Sequence, residues 1–122
     1  MKVLVTGGSG FLGKALCRAL AGQGHDVTSL QRHHSADLEG LGVRQVLGAL
    51  DDDGKVSEAL KGVDAVIHNA AMAGGWGAWE DYYRTNVIGT ECLLLVCRSK
   101  GIRRFVYTST PSVVHAGRQA VA

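Results

Sequence analysis

The sequence predicts an α/β fold, a doubly wound parallel sheet whose strands lie in the order 3-2-1-4-5. Lys2–Thr6 is a continuous apolar run of the kind buried on both faces of a parallel sheet, and further short strand-like segments follow it. Stretches with helical spacing of apolar residues separate them. Glycines mark the junctions, most densely at Gly7, Gly8, Gly10 and Gly13 between the first strand and the first helix.

Lys2–Thr6 reads as the first strand. Phe11–Ala21 reads as the first helix, with Leu12, Ala15, Leu16, Ala19 and Leu20 at helical spacing and Gly22 and Gly24 as its stop. Asp26–Gln31 is the second strand and Val43–Leu47 the third, joined by a polar connector bearing leucines. Lys55–Leu60 is a short helix and Ala65–His68 the fourth strand. A loop rich in glycine and tryptophan, Ala73–Ala78, leads into a long helix from Trp79 to Ser99, whose apolar stripe is Val87, Cys92, Leu94, Leu95 and Val96. Gly101 ends it, and Arg104–Thr108 is the fifth strand. The tail from Ser109 to Ala122 has no periodicity and holds the only proline, Pro111. No repeat or linker interrupts the pattern, so residues 1–122 are expected to form one domain.

The apolar fraction of 46% suits a packed globular chain, and a net charge of +2 gives no footprint for a nucleic-acid partner. Arg98, Lys100, Arg103 and Arg104 bracket a helix end, where basic residues complement the dipole. No apolar stretch approaches the ~18 residues of a membrane span, and the first apolar run, ending at Thr6, is too short for a signal peptide. Cys17, Cys92 and Cys97 form no CxxC pair and read as small, buried or half-buried residues of a reducing compartment. The histidines, including the adjacent His33 and His34, show no metal-ligand spacing. The expectation is a cytoplasmic protein without a metal site.

The glycines satisfy two spacings at once, GxGxxG (Gly8, Gly10, Gly13) and GxxGxxG (Gly7, Gly10, Gly13). Either serves a phosphate cradle: one glycine turns the chain off the strand, one lets backbone approach a pyrophosphate, and one lets the helix pack closely. Backbone N–H groups at the helix start, around Phe11, Leu12 and Gly13, then face the phosphates. Strand, glycine turn and helix in that order form the context this dinucleotide-binding, Rossmann-type motif requires. The end of the second strand reads Leu30-Gln31-Arg32-His33-His34, with no acid for a ribose 2′-hydroxyl. Arg32, with His33 beside it, is placed to meet a 2′-phosphate; the alternative is an exposed strand-end arginine. NADP(H) is favoured over NAD(H).

The sequence resembles the extended short-chain dehydrogenase/reductase family. Thr6-Gly7-Gly8-Ser9-Gly10-Phe11-Leu12-Gly13 is similar to its TGGxGFLG motif, His68-Asn69-Ala70-Ala71 to HxAA, Asn86-Val87-Ile88-Gly89-Thr90 to NVxGT, and Tyr107-Thr108-Ser109-Thr110 to the YTSS-type end of the fifth strand. Together with Trp76 and Phe105 to Val113, these look closest to the 3β-hydroxysteroid dehydrogenase-like branch. That branch contains sterol-4-carboxylate 3-dehydrogenases and bacterial 2-alkyl-3-oxoalkanoate reductases, and the likeness leans to the reductases.

The resemblance implies a role for each matched position. Thr110 falls at the catalytic Ser/Thr that hydrogen-bonds the substrate oxygen. Asn86 falls at the asparagine that organises the site, and Ala70 and Ala71 border the cofactor. Relatives often carry an aspartate that meets adenine after the third strand; Ala49 stands there, leaving backbone atoms of Leu50 for the contact. The family's YxxxK tyrosine and lysine are not in the chain, since Asn86, Val87 and Pro111 lie four residues past Tyr82, Tyr83 and Tyr107. The implied whole is therefore the N-terminal, cofactor-binding part of a longer enzyme, cut before the later strands and the substrate lobe, and inactive by itself. The longer enzyme would interconvert a 3-hydroxyl and a 3-oxo group on a bulky hydrophobic small molecule, as a homodimer. A nucleotide-sugar epimerase or dehydratase of the same superfamily is one alternative, and a non-catalytic NADP-binding or redox-sensing module is another.

Other residues fit structural roles as well as functional ones. Trp76 and Trp79 suit either a substrate mouth or packing on the long helix. His68, on an apolar strand, reads as a hydrogen-bonded core histidine. Asp51, Asp52 and Asp53 read as turn and cap before the helix at Lys55. His115 has no assignable role.

Overall fold

The computed structural model describes residues 1–69 and 87–108. The Trp76 and Trp79 loop, the first turns of the expected long helix and the tail with His115 lie outside these residues. The elements run β1 (Lys2–Thr6), α1 (Phe11–Gly22), β2 (Asp26–Gln31), α2 (Ala36–Gly40), β3 (Arg44–Leu47), α3 (Asp53–Ala59), β4 (Ala65–Asn69), α4 (Gly89–Ser99) and β5 (Arg104–Thr108). The five strands form one parallel sheet in the order β3-β2-β1-β4-β5, as the alternation predicted.

The three central strands, β2, β1 and β4, are buried on both faces, so alternate residues feed opposite layers. Leu4, Leu30, Val46 and Val66 pack with Val56, Leu60, Leu93 and Cys97 of the α3 and α4 layer. Val3, Val5, Val27 and Val43 pack with Cys17 of α1 and Leu38 of α2. Full burial of each such side chain is worth about 1.5–3 kcal/mol.

Three features differ from the sequence expectation. The connector before β3 contains α2, with Ser35 as its N-cap accepting from the Leu38 N–H and only Leu38 buried. The buried face of α1 runs through Gly13 and Cys17, while Ala15 and Ala19 are exposed and Leu12 is 39% exposed. The buried face of α4 runs through Gly89, Leu93 and Cys97, with Leu94 and Leu95 outward. In both helices the small residue closest to the sheet sets the rotation, and a tally of large apolar residues misses it.

Among the described residues no strand pairs with the outer edge of β5, where Val106 is 55% and Tyr107 50% exposed. An apolar strand edge is a template for association. The 122-residue chain is expected to self-associate through it, and Val106→Lys to reduce that association. Sedimentation velocity over a concentration series is the measurement; a monomer at every concentration would show the edge to be protected.

Candidate functional site

The site lies at the C-terminal ends of β1, β2 and β4. After Thr6 the chain turns at Gly7, whose φ of 67° favours glycine. The Gly7 N–H donates to the Leu30 carbonyl at 3.1 Å, pinning the turn to β2, and the Gly10 N–H donates to the Gly7 carbonyl at 3.1 Å. Gly10 is the N-cap of α1, so no side chain caps the helix, and no acid stands in its first turn. Phe11 is 95% exposed, leaving the helix start open.

Gly8 and Gly13 bring the backbone together. A Cβ on Gly13 would overlap the Gly7 carbonyl oxygen and lie 2.7 Å from the Gly8 Cα. A Cβ on Gly8 would lie 3.0 Å from the Ser29 Cβ and 3.3 Å from the Cys17 Sγ. At Gly10 a Cβ would meet only the Gly7 oxygen, at 3.5 Å. The turn glycine is thus Gly7, and Gly13 holds the helix against the turn. The uncapped helix start, free of acids, fits a diphosphate group.

At the end of β2, Gln31 is buried and Arg32, His33 and His34 are exposed. The Ser29 hydroxyl donates to Gln31 Oε1, and Gln31 Nε2 donates to Gln45 Oε1 at 2.8 Å. His34 Nε2 lies 3.0 Å from Glu39. Lys14 pairs with Asp37 at 2.7 Å, joining the first turns of α1 and α2 and lowering the Asp37 pKa through that hydrogen bond and charge. Residues 31–34 at the end of β2 hold no carboxylate, and Arg32 there is exposed.

His68 is a core histidine, as its strand position predicted. It is 1% exposed, with Nδ1 2.6 Å from Thr6 Oγ1 and Nε2 2.8 Å from Thr90 Oγ1. Burial pushes its pKa down to about 4. Asn69 donates its backbone N–H to Thr6 Oγ1 at 3.0 Å and its Nδ2 to the Thr6 carbonyl at 2.9 Å, and accepts from the Thr108 hydroxyl. These bonds tie the last residue of β1 to β4, β5 and α4. Sequence reasoning passed over Thr6, Asn69, Thr90 and Thr108 as partners, because hydroxyls far apart in sequence carry no spacing signal.

Leu50 packs half-buried against the α3–α4 layer. Asp52 caps α3 by accepting from the Lys55 N–H at 3.2 Å, as expected for the aspartate run. Cys17 and Cys97 are buried and Cys92 half-buried. Burial raises Cys17 and Cys97 to about 11; burial and the Asp53 hydrogen bond raise Cys92 to about 12. These thiols are inert as nucleophiles near neutrality. Ala70, Ala71, Asn86 and Thr110 lie outside the described residues.

A parallel sheet in this order, with a glycine turn between β1 and an uncapped helix, defines a Rossmann-type dinucleotide-binding fold. The model of the NAD dependent epimerase/dehydratase family matches residues 3–120, and the chain belongs to that family. It is 52% identical over 121 residues to a 2-alkyl-3-oxoalkanoate reductase of Stenotrophomonas maltophilia, covering 99% of this chain and 37% of the relative. It is 37% identical to a 3-beta-hydroxysteroid dehydrogenase of Mycolicibacterium neoaurum, covering 98% of this chain and 35% of that protein. A Stenotrophomonas UDP-glucose-4-epimerase structure with bound NAD superposes with a TM-score of 0.82 at 27% identity, over 99% of this chain and 40% of the other. The chain thus spans little more than a third of the curated relatives it matches. Among the described residues no helix is long and apolar enough to cross a membrane.

Proposed function

We propose that these 122 residues are the NADP(H)-binding part of an oxidoreductase that interconverts a 3-hydroxyl and a 3-oxo group on a bulky hydrophobic substrate, a 2-alkyl-3-oxoalkanoate or a sterol-like molecule. The observation that carries this reading is the 52% identity to a named reductase across nearly the whole chain. The cofactor, when bound, exchanges hydride with the carbonyl carbon. In this reading Gly7, Gly10 and Gly13 shape the cradle, and the backbone of Phe11 and Leu12 holds the diphosphate. The Leu50 backbone meets adenine, and Ala70 and Ala71 border the cofactor. Asn86 organises the site, and the Thr110 hydroxyl donates to the substrate oxygen. The tyrosine–lysine acid–base pair belongs to a longer enzyme, with its substrate lobe and its dimer contacts, in the cytoplasm.

Arg32 carries the cofactor preference. A charge-assisted hydrogen bond of about 1.5–3 kcal/mol corresponds to ~10–100-fold in affinity. Arg32→Asp is expected to weaken NADPH by at least that factor and to strengthen NADH, for whose ribose 2′-hydroxyl it supplies an acceptor, measured by calorimetric titration of both cofactors. Tighter binding of NADH than NADPH by the unsubstituted chain would overturn the NADP(H) assignment.

The superposition on a UDP-glucose-4-epimerase favours a second reading, a nucleotide-sugar epimerase. Assay of a longer enzyme bearing this segment separates them. Oxidation or reduction of a long-chain 3-hydroxy or 3-oxo acid supports the first, and epimerisation of UDP-glucose the second.

A further inference from the structure

We infer that Gln45 is a positioning residue that sets selectivity for a 2′-phosphorylated ligand by holding the arch bearing Arg32. This rests on the reading of Arg32 given above. The arch is Arg32, His33 and His34, all exposed, between two fixed ends. One end is Gln31, whose carbonyl accepts from the Gly48 N–H at 2.9 Å and whose buried carboxamide is held by Ser29 and Gln45. The other end is Ser35, buried, whose hydroxyl caps α2.

A single side chain joins the two ends. Gln45 Oε1 accepts from Gln31 Nε2 at 2.8 Å and from the Ser35 N–H at 2.8 Å, and Gln45 Nε2 donates to the Ser35 carbonyl at 3.0 Å. Gln45 sits in β3 opposite Ser29 of β2, so the sheet register fixes its base. Its carboxamide engages both polar groups of the Ser35 backbone and the end of Gln31 together, closing the arch as a backbone ladder would. The Lys14–Asp37 pair ties α2 to α1. Among the described residues nothing equivalent holds Arg32 itself, so its placement over a ribose depends on the arch ends.

A long, flexible cation recognises a fixed phosphate best when its backbone is already placed, since ordering it on binding costs affinity. Loss of the Gln45 clamp should therefore weaken the 2′-phosphate contact and leave the rest of the cradle unaffected. The probes are 2′,5′-ADP and 5′-AMP, which differ only in the 2′-phosphate, titrated calorimetrically against the chain.

Gln45→Met keeps the volume and removes all three hydrogen bonds. It is expected to lower the 2′,5′-ADP to 5′-AMP affinity ratio ~3–10-fold with 5′-AMP binding retained, against ~10–100-fold for Arg32→Ala. The double variant is expected to be no worse than Arg32→Ala alone. Retained 5′-AMP binding reports a folded cradle; should Gln45→Met not fold, Gln45→Asn, one methylene short of Ser35, replaces it. An unchanged ratio in the Gln45 variant beside a reduced ratio in Arg32→Ala would overturn this inference and leave the cofactor reading intact. An equal weakening of both ligands would show a general structural role and overturn it as well. An unchanged ratio in Arg32→Ala would instead sink the reading on which it rests.

Discussion

Gly13→Ala is expected to lower the melting temperature of the chain markedly, while Gly10→Ala leaves it nearly unchanged. The added Cβ at position 13 would lie 2.7 Å from the Gly8 Cα and 2.8 Å from the Gly7 carbonyl carbon. All of these are backbone atoms of a tight turn, and no rotamer change can move them. Relief requires α1 to slide off the sheet, which separates Cys17 and Leu20 from Val3, Val5 and Val27. Overpacking of this kind costs about 1–3 kcal/mol or more, and small domains hold only about 5–15 kcal/mol in reserve. At Gly10 the same methyl group meets a single atom at 3.5 Å with φ at −79°, an ordinary conformation. Gly10→Ala therefore tests the cradle without testing the fold, because the methyl group would stand on the open side where a diphosphate would approach. Thermal unfolding and NADPH titration of both variants separate the two effects. A Gly13→Ala protein that melts with the parent would refute the close-packing role of Gly13.

The sheet was legible because its signals are local. Lys2–Thr6 is a short apolar run and Asp26–Gln31 a β-branched stretch between the glycines that end α1 and a polar connector, and the observed strands coincide with them. The cradle was legible because its glycines must lie within one turn of each other. The α2 helix was not, since five residues with one buried leucine make no period. Ser35 followed by Asp37 and Glu39 was the available signal, a cap with acids in the first turn. The faces of α1 and α4 were legible only in part: Leu20, Cys92 and Val96 of the expected stripes pack on the core, but the residues nearest the sheet are the small Gly13, Cys17, Gly89 and Cys97. The polar contacts were the least legible. Gln45 reaches Gln31 across 14 positions and His68 reaches Thr90 across 22, and side-chain amides and hydroxyls carry no mark of their partners in sequence.

The His68 contacts make stability depend on pH with a definite sign. In the unfolded chain the imidazole titrates near its ordinary 6.5; in the folded chain burial holds it at about 4. Between these values the unfolded state takes up a proton that the folded state refuses, so stability falls as pH drops from about 6.5 towards 4 and is fully present above that window. A depression of this size corresponds to on the order of 3 kcal/mol, a large part of a small domain's reserve. The surroundings explain the refusal. Thr6 and Thr90 flank the two ring nitrogens, and the neighbouring rings are Tyr107 at 5.2 Å and Phe105 at 6.1 Å. None of these carries a negative charge to hold an imidazolium. His68→Asn is expected to lower stability at pH 7.5, by loss of the bonds to Thr6 and Thr90, and to flatten the acid limb between pH 4 and 6.5. Urea unfolding at half-unit pH intervals measures both. Because Thr6 immediately precedes Gly7, protonation should also loosen the cradle, so NADPH affinity is expected to decline more steeply over the same acid limb in the parent chain than in the variant, where only the titration of the 2′-phosphate remains. Parallel pH profiles for parent and variant would place the acid sensitivity elsewhere.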